Sequence, residues 1–264
     1  MGTPYESPIE TRELEKLIDR FTYQNGFDVR VVFQDLLRYI VQGLSLPGTP
    51  PPTDWRYTKA QDEAFYEMYT VWIQIMDKQI KIHGWYDSFG DLFMALTSKS
   101  GQQQKGQFFT PDHVSDLCQR LVMGKDNKIH TIYDPAAGSG RMLLAAKAEN
   151  PMNYLIAWDI DYTCCLMCVC NFLMNGCVGE VVCIDSLNMD NFRGAWLVNE
   201  ACYRTGLPSI RWMNEKEYLL YKQSDIPAYV FFLNQERYTS YFRMREMWAT
   251  ISAILKNNPP SNKD

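Results

Sequence analysis

No apolar run in this 264-residue chain approaches the roughly 18 residues needed to span a bilayer. That excludes a membrane-spanning helix as the organising feature. The segment Met1-Gly2-Thr3-Pro4-Tyr5-Glu6 has no basic stretch and no apolar stretch, so no secretory signal is expected and the chain reads as cytoplasmic. Histidine is scarce: His83, His113 and His130 are the whole complement, too few and too scattered for a histidine metal site. No excess of positive charge advertises nucleic acid, since the formal net charge is -5. No internal repeat is visible. The eight cysteines are too few for a disulfide scaffold in a chain this long. Six of them lie between Cys164 and Cys183 on a helical pattern. Zinc is the alternative for the spacing Cys165-x-x-Cys168, but buried free thiols are the expectation, and no metal site is assigned.

What is present divides in two. Up to about residue 105 the apolar residues recur at helical spacing. Leu14, Leu17, Ile18 and Phe21 mark one helix; Val32, Phe33, Leu36, Leu37 and Ile40 mark a second. Residues 61–82 and 87–96 predict two more. The run Pro47-Gly48-Thr49-Pro50-Pro51-Pro52 can only be a loop. After Gly106 strand and helix alternate, with strands at 129–133, 154–158, 181–184 and 195–198 and helices at 112–123, 141–148 and 162–175. That rhythm predicts a parallel sheet with helices on both faces. The expected organisation is a helical unit over 1–105, an α/β unit over 106–256 and a tail over 257–264. Within the second unit, 229–233 reads as a buried strand. The mixture of arginines and aromatics at 237–245 suits either phosphate and base contacts or an amphipathic helix. Charge is also uneven: segments 99–147 and 204–256 are each net +3, between more acidic neighbours.

In open α/β sheets ligands sit at the carboxyl ends of the strands. Each predicted strand ends at a polar residue: Asp134, Asp159, Asp185 and Asn199. The first is followed by a glycine turn, Asp134-Pro135-Ala136-Ala137-Gly138-Ser139-Gly140. An acid at this position repels a pyrophosphate but suits an ammonium group. S-adenosylmethionine carries one, together with a carboxylate, a ribose diol and an adenine. Asp159 lies 19 residues beyond Gly140, close to the usual spacing of a ribose-binding acid. Asp185 stands where an adenine amine can be accepted.

The sequences GQFFTP (106–111), DPAAGSG (134–140), AWDID (157–161) and CIDSL (183–187) together resemble the N-6 adenine DNA methylases, in particular the modification subunits of type I restriction systems. FGDLFMAL (89–96) and CNFLMNG (170–176) extend the likeness. The resemblance implies a Rossmann-like, S-adenosylmethionine-dependent methyltransferase fold preceded by a helical domain. It implies that Phe109, Thr110 and Pro111 cradle the methionine end. Asp134, Ala136, Gly138 and Gly140 would form the turn beneath the cofactor. Asp159 would take the ribose, and Asp185, with Ser186 and Leu187, the adenine. DNA is the implied substrate and a specificity subunit the implied partner.

One departure bears on catalysis. The family carries Asn/Asp-Pro-Pro-aromatic at the end of its fourth strand, where side-chain and backbone acceptors localise the lone pair of a flipped adenine amine. Here the corresponding stretch is Asn199-Glu200-Ala201-Cys202-Tyr203, without either proline. Asn199 and Tyr203 are the catalytic candidates. The only literal Asn-Pro-Pro, at 258–260, follows a helical run and reads as a tail. Three readings follow: an adenine methyltransferase, a non-enzymatic relative that keeps the cofactor or DNA, or a methyltransferase of another substrate. The altered 199–203 segment shifts weight toward the second, with transfer weak or absent in the isolated chain.

Overall fold

The computed structural model describes residues 6–50, 52–99, 110–123, 128–200, 202, 207–224 and 250. Expectations for Phe109, Tyr203, the 229–233 strand, the 237–245 run and the terminal Asn258-Pro259-Pro260 fall outside these residues.

Four helices open the chain: α1 (Arg12–Asn25), α2 (Val29–Gly43), α3 (Lys59–His83) and α4 (Ser88–Lys99). Local chemistry sets their ends. Asp28 caps α2 by accepting from the Arg30 N–H, and Thr58 and Gln61 form a reciprocal capping box on α3. Gly26 closes α1 at φ 69°, where a side chain would be strained. The apolar stripes converge, with Leu14, Phe33, Phe65, Trp72 and Phe89 all fully buried. The indole N–H of Trp72 donates to Ser88 Oγ, 2.9 Å away.

The remainder alternates. Helix α5 (Asp112–Met123) precedes β1 (Thr131–Asp134), α6 (Arg141–Glu149), β2 (Tyr154–Asp159), α7 (Tyr162–Asn175), β3 (Val178–Asp185), β4 (Asp190–Val198), β5 (Ile210–Met213) and α8 (Glu215–Gln223). Among the described residues the sheet has five strands in the order β1-β2-β3-β4-β5. The pairs β1–β2 and β2–β3 are parallel. The pairs β3–β4 and β4–β5 are antiparallel. The fold is therefore α/β with a mixed sheet, and the expectation of a parallel fourth strand is corrected. Only residues 186–189 separate β3 from β4, whereas a parallel crossover takes a dozen or more. Strand β5 and helix α8 have no counterpart in the periodicity reading.

Side chains along the strands alternate between two packing layers. Val181, Cys183, Trp196 and Val198 face the core that also holds α1–α4, α6 and α7. Val182, Ile184, Ala195 and Leu197 face the opposite side, covered by Tyr218 and Tyr221 of α8. Helix α7 is buried all round from Cys164 to Asn175, squeezed between the sheet and the N-terminal helices. This explains the cysteine cluster: a helix without a solvent face needs small apolar side chains. All eight cysteines are free thiols, seven of them buried. Burial pushes the Cys177 thiol up to about 12.

Candidate functional site

The carboxyl ends of β1, β2 and β3 bring Asp134, Asp159 and Asp185 to one edge of the sheet, in strand order. Between β1 and α6 the chain turns through two left-handed glycines, Gly138 at φ 56° and Gly140 at φ 86°. Gly140 also has no room for a side chain: an added Cβ would lie 2.7 Å from Cys168 Sγ. The turn thus presses directly on α7, and its backbone leads into the N-terminus of α6.

The acids hold this turn together. The Gly138 N–H donates to Asp159 Oδ2 at 2.8 Å, and the Asp161 N–H donates to its Oδ1 at 2.8 Å. Asp134 Oδ1 accepts from the Ala136 N–H at 3.0 Å. Burial raises the Asp134 carboxyl above its ordinary value. Burial likewise raises Asp159, against the Asp161 and Gly138 N–H groups, with the charges of Asp161 and Asp134 adding to the rise. Two partly desolvated carboxylates side by side favour a cation or hydroxyl donors near them. Asp185 differs. It accepts from the Asn188 side chain and from the Leu187 and Asn188 N–H groups, which together hold its carboxyl below the ordinary value. Its first role is to shape the β3–β4 turn. Ser186 beside it is half-buried and Leu187 is exposed.

A buried polar cluster missed by the sequence reading anchors the same turn. Asp87, at the start of α4, is buried and accepts four hydrogen bonds. The donors are the Gly90 N–H (2.8 Å), Ser139 Oγ (2.6 Å), Arg141 Nε (2.9 Å) and Asn171 Nδ2 (2.7 Å). Arg141 also donates to Asp91 Oδ1 at 3.0 Å and to the Thr110 carbonyl at 3.1 Å. The arginine therefore ties the Thr110 backbone to the start of α6, next to the glycine turn. Gly90 is required for this packing, since an added Cβ would meet Asp87 Oδ2 at 2.3 Å. An acid three residues before that glycine, at a helix start, is the sequence signal for the cluster.

Asn199 stands elsewhere. Because β4 is antiparallel, Val198 pairs with Gly179 at the beginning of β3, while Asp190 pairs with Asp185 at its end. Asn199 is thus about 20 Å from the Asp185 edge at the usual rise per strand residue. It is fully buried. Its Nδ2 donates to the carbonyls of Cys177 (2.8 Å), Phe172 (3.4 Å) and Leu173 (3.4 Å), and its Oδ1 accepts from the Ser209 N–H at 3.2 Å. The expectation of Asn199 at the ligand edge is corrected: it ties the end of α7 to the β4–β5 connection. Neighbouring Glu200 takes two hydrogen bonds from Arg211 Nη2, at 3.0 and 2.9 Å, and one from its Nε at 3.1 Å.

A glycine turn between strand and helix, backed by acids on successive parallel strands, defines a class of small-ligand α/β proteins. Residues 85–200 match the N-6 DNA Methylase family. The methylase subunit of the type I restriction enzyme MpnII of Mycoplasma pneumoniae is 31% identical over 97 residues, covering 34% of this chain and 18% of that protein. The methylase subunit of the type I restriction enzyme MjaVIII of Methanocaldococcus jannaschii is 30% identical over 96 residues, covering 34% and 16%. The chain thus spans under a fifth of these relatives' length. No solved structure matches it. In its central segment the chain resembles the N-6 adenine DNA methylases of restriction–modification systems, and at the family level the resemblance is to DNA adenine methylation. No helix among the described residues is long and apolar enough to cross a membrane.

Proposed function

We propose that the edge formed by Asp134, Asp159 and Asp185 binds S-adenosylmethionine, in a Rossmann-like unit that acts on DNA together with a specificity subunit. The observation that carries this reading is the glycine turn held by Asp159 beside a second, partly desolvated acid. The residues suit the cofactor chemically. Asp134 offers a negative charge for the ammonium group. The backbone of Gly138 and Gly140 permits close approach, and the α6 N-terminus favours the carboxylate. Asp159 keeps acceptor capacity for the ribose hydroxyls. Thr110 and Pro111 would border the methionine end, a role the family resemblance also gives Phe109; Asp185, Ser186 and Leu187 would border the adenine. Bound there, the cofactor would supply an electrophilic methyl group.

Methyl transfer needs further groups that accept from a flipped adenine amine. Asn199 is committed to three carbonyls and one N–H on the opposite edge, and Glu200 to Arg211. The isolated chain is therefore read as cofactor-binding with weak or absent transfer. Titration calorimetry with S-adenosylmethionine and with nicotinamide dinucleotides tests the first part. Dinucleotide binding without S-adenosylmethionine binding would sink it. Tritium transfer to unmethylated DNA, followed by nucleoside analysis, tests the second. Robust N-6 methyladenine that vanishes in a folded Asn199→Ala variant would overturn it; product lost only on deleting residues 258–264 would assign the chemistry to the terminal Asn-Pro-Pro.

A further inference from the structure

A cavity of about 250 Å³ lies away from the glycine turn, between α2, the proline-rich loop, α7 and the β4–β5 pair. Its walls mix cations and aromatic rings: Arg38, Arg193, Tyr162, Trp196 and Trp212, with Gln42 at the side. Arg38 is already neutralised by Asp35 and Asp54. Arg193 is different. It is exposed, and among the described residues no carboxylate lies within ion-pair distance of it. Its guanidinium instead stacks over the Tyr162 ring, 4.8 Å from the centroid, leaving its edge N–H groups for an anion.

The aromatic wall is built with some care. Trp196 and Trp212 are directly opposite across β4 and β5, and Tyr162 packs on Trp196 with centroids 5.7 Å apart. Trp196 is buried, but Trp212 is only partly so. Room for the Trp212 ring comes from Gly194, where an added Cβ would lie 2.8 Å from Trp212 Nε1. The rim is the loop the sequence could assign only as a loop: the Leu46 N–H donates to the Ile210 carbonyl at 2.8 Å, which fixes that loop to β5, and Thr49, Pro50 and Pro52 follow it around the cavity.

A guanidinium with no carboxylate partner among the described residues, beside a half-buried indole at a cavity whose walls are partly polar, matches one chemical class. We propose that this cavity binds a nucleoside monophosphate unit, with the phosphate on Arg193 and the base against Trp212. Base–aromatic stacking tolerates any base, and a planar guanidinium holds a phosphate by paired N–H donors. The unit can come as a free nucleotide or as one residue of a DNA strand, and the two sources share this chemistry. The inference goes beyond the cofactor reading and does not depend on it, because the site shares no residue with the 134–140 turn.

The test uses the full chain without S-adenosylmethionine. Binding of a short fluorescently labelled single-stranded deoxyoligonucleotide is followed by anisotropy, and binding of dAMP or dTMP by quenching of tryptophan fluorescence. Arg193→Gln, a surface change checked by circular dichroism, should weaken binding about tenfold and lower the salt-dependence slope by about one. Trp212→Ala should weaken it about tenfold with little change of slope. Deoxyadenosine and inorganic phosphate, each lacking half the ligand, should not compete at concentrations where dAMP does. Tight oligonucleotide binding with weak dAMP binding assigns the site to a strand; comparable binding assigns it to the free nucleotide. Should Trp212→Ala fail to fold, photocrosslinking of a 5-bromodeoxyuridine oligonucleotide to the native chain gives the same information. Crosslinks at Tyr162, Trp196 or Trp212 support the proposal. Crosslinks confined to other residues, native-like binding by Arg193→Gln, or no binding of either ligand would overturn it.

Discussion

Asn199 shows why a residue type at a motif position has to be read with its backbone. Its φ is 58°, in the left-handed region where asparagine is tolerated and most side chains are not. Its amide caps carbonyls at the end of α7 that water cannot reach. Asn199→Ala should destabilise the fold by about 2–3 kcal/mol, the cost of stranding buried polar groups. Cofactor affinity of the folded fraction should be unchanged; chemical denaturation and calorimetry measure the two separately. At the other edge, Asp159→Ala should weaken S-adenosylmethionine binding by ~1.5–3 kcal/mol, the scale of charge-assisted hydrogen bonds. Asp134 has a further consequence for pH. Its folded carboxyl titrates above the unfolded one, so its contribution to stability falls as pH rises from the ordinary value through the raised one. At neutral pH its charge is a cost to the fold. Asp134→Asn should therefore raise the melting temperature at pH 7 while weakening the cofactor. A variant that lost both stability and binding would show that the charge is compensated in a way the geometry does not contain.

Among elements, α4, α6 and α7 meet at one buried carboxylate. Asp87 begins α4, Arg141 begins α6 and Asn171 lies in the last turns of α7, so a single acid sets the spacing of three helices around the glycine turn. The ion pair is almost fully removed from water, with Arg141 at 5% and Asp87 at 0% side-chain exposure. Such a pair is costly to break because the survivor stays buried. Asp87→Ala should cost about 3 kcal/mol or more by denaturant titration, even though Asp91 continues to hold Arg141. Because Ser139 and the Thr110 carbonyl depend on the same cluster, S-adenosylmethionine affinity should fall as well. Gly90→Ala should act in the same direction through crowding of Asp87. Loss of stability with intact affinity in both variants would separate the cluster from the turn.

For the whole molecule, the helical segment and the sheet share one apolar core. Leu36, Phe65 and Trp72 from the N-terminal helices belong to the same cluster as Leu155, Val169, Phe172 and Val198. Residues 1–105 are therefore proposed to unfold together with the α/β segment rather than as a separate domain. Calorimetry should give one transition, coincident with fluorescence from tryptophans on both sides, Trp72 and Trp196. Two resolved transitions would show that the boundary near residue 105 is a true domain boundary.

The helices other than α8 were legible because their apolar spacing follows the helical period. Strands β1, β2 and β3 were legible from short apolar runs ending in an acid, and the glycine turn from Gly138 and Gly140, whose left-handed backbone few other residues adopt. The direction of β4 was not. Its period is the same whichever way it runs, and only the full extent of β3 and β4 shows that four residues connect them. That direction moved Asn199 from the ligand edge to the far edge. The four-residue β5 was too short for its period to register. The meeting of Asp87 with Ser139, Arg141 and Asn171 spans 52, 54 and 84 residues of sequence, which no local pattern encodes. Local sequence determined which segments are helix or strand and where the backbone must turn left-handed, because those are properties of neighbouring residues. Tertiary packing alone decided which polar groups share a buried site, because that depends on which distant segments the common core brings into contact.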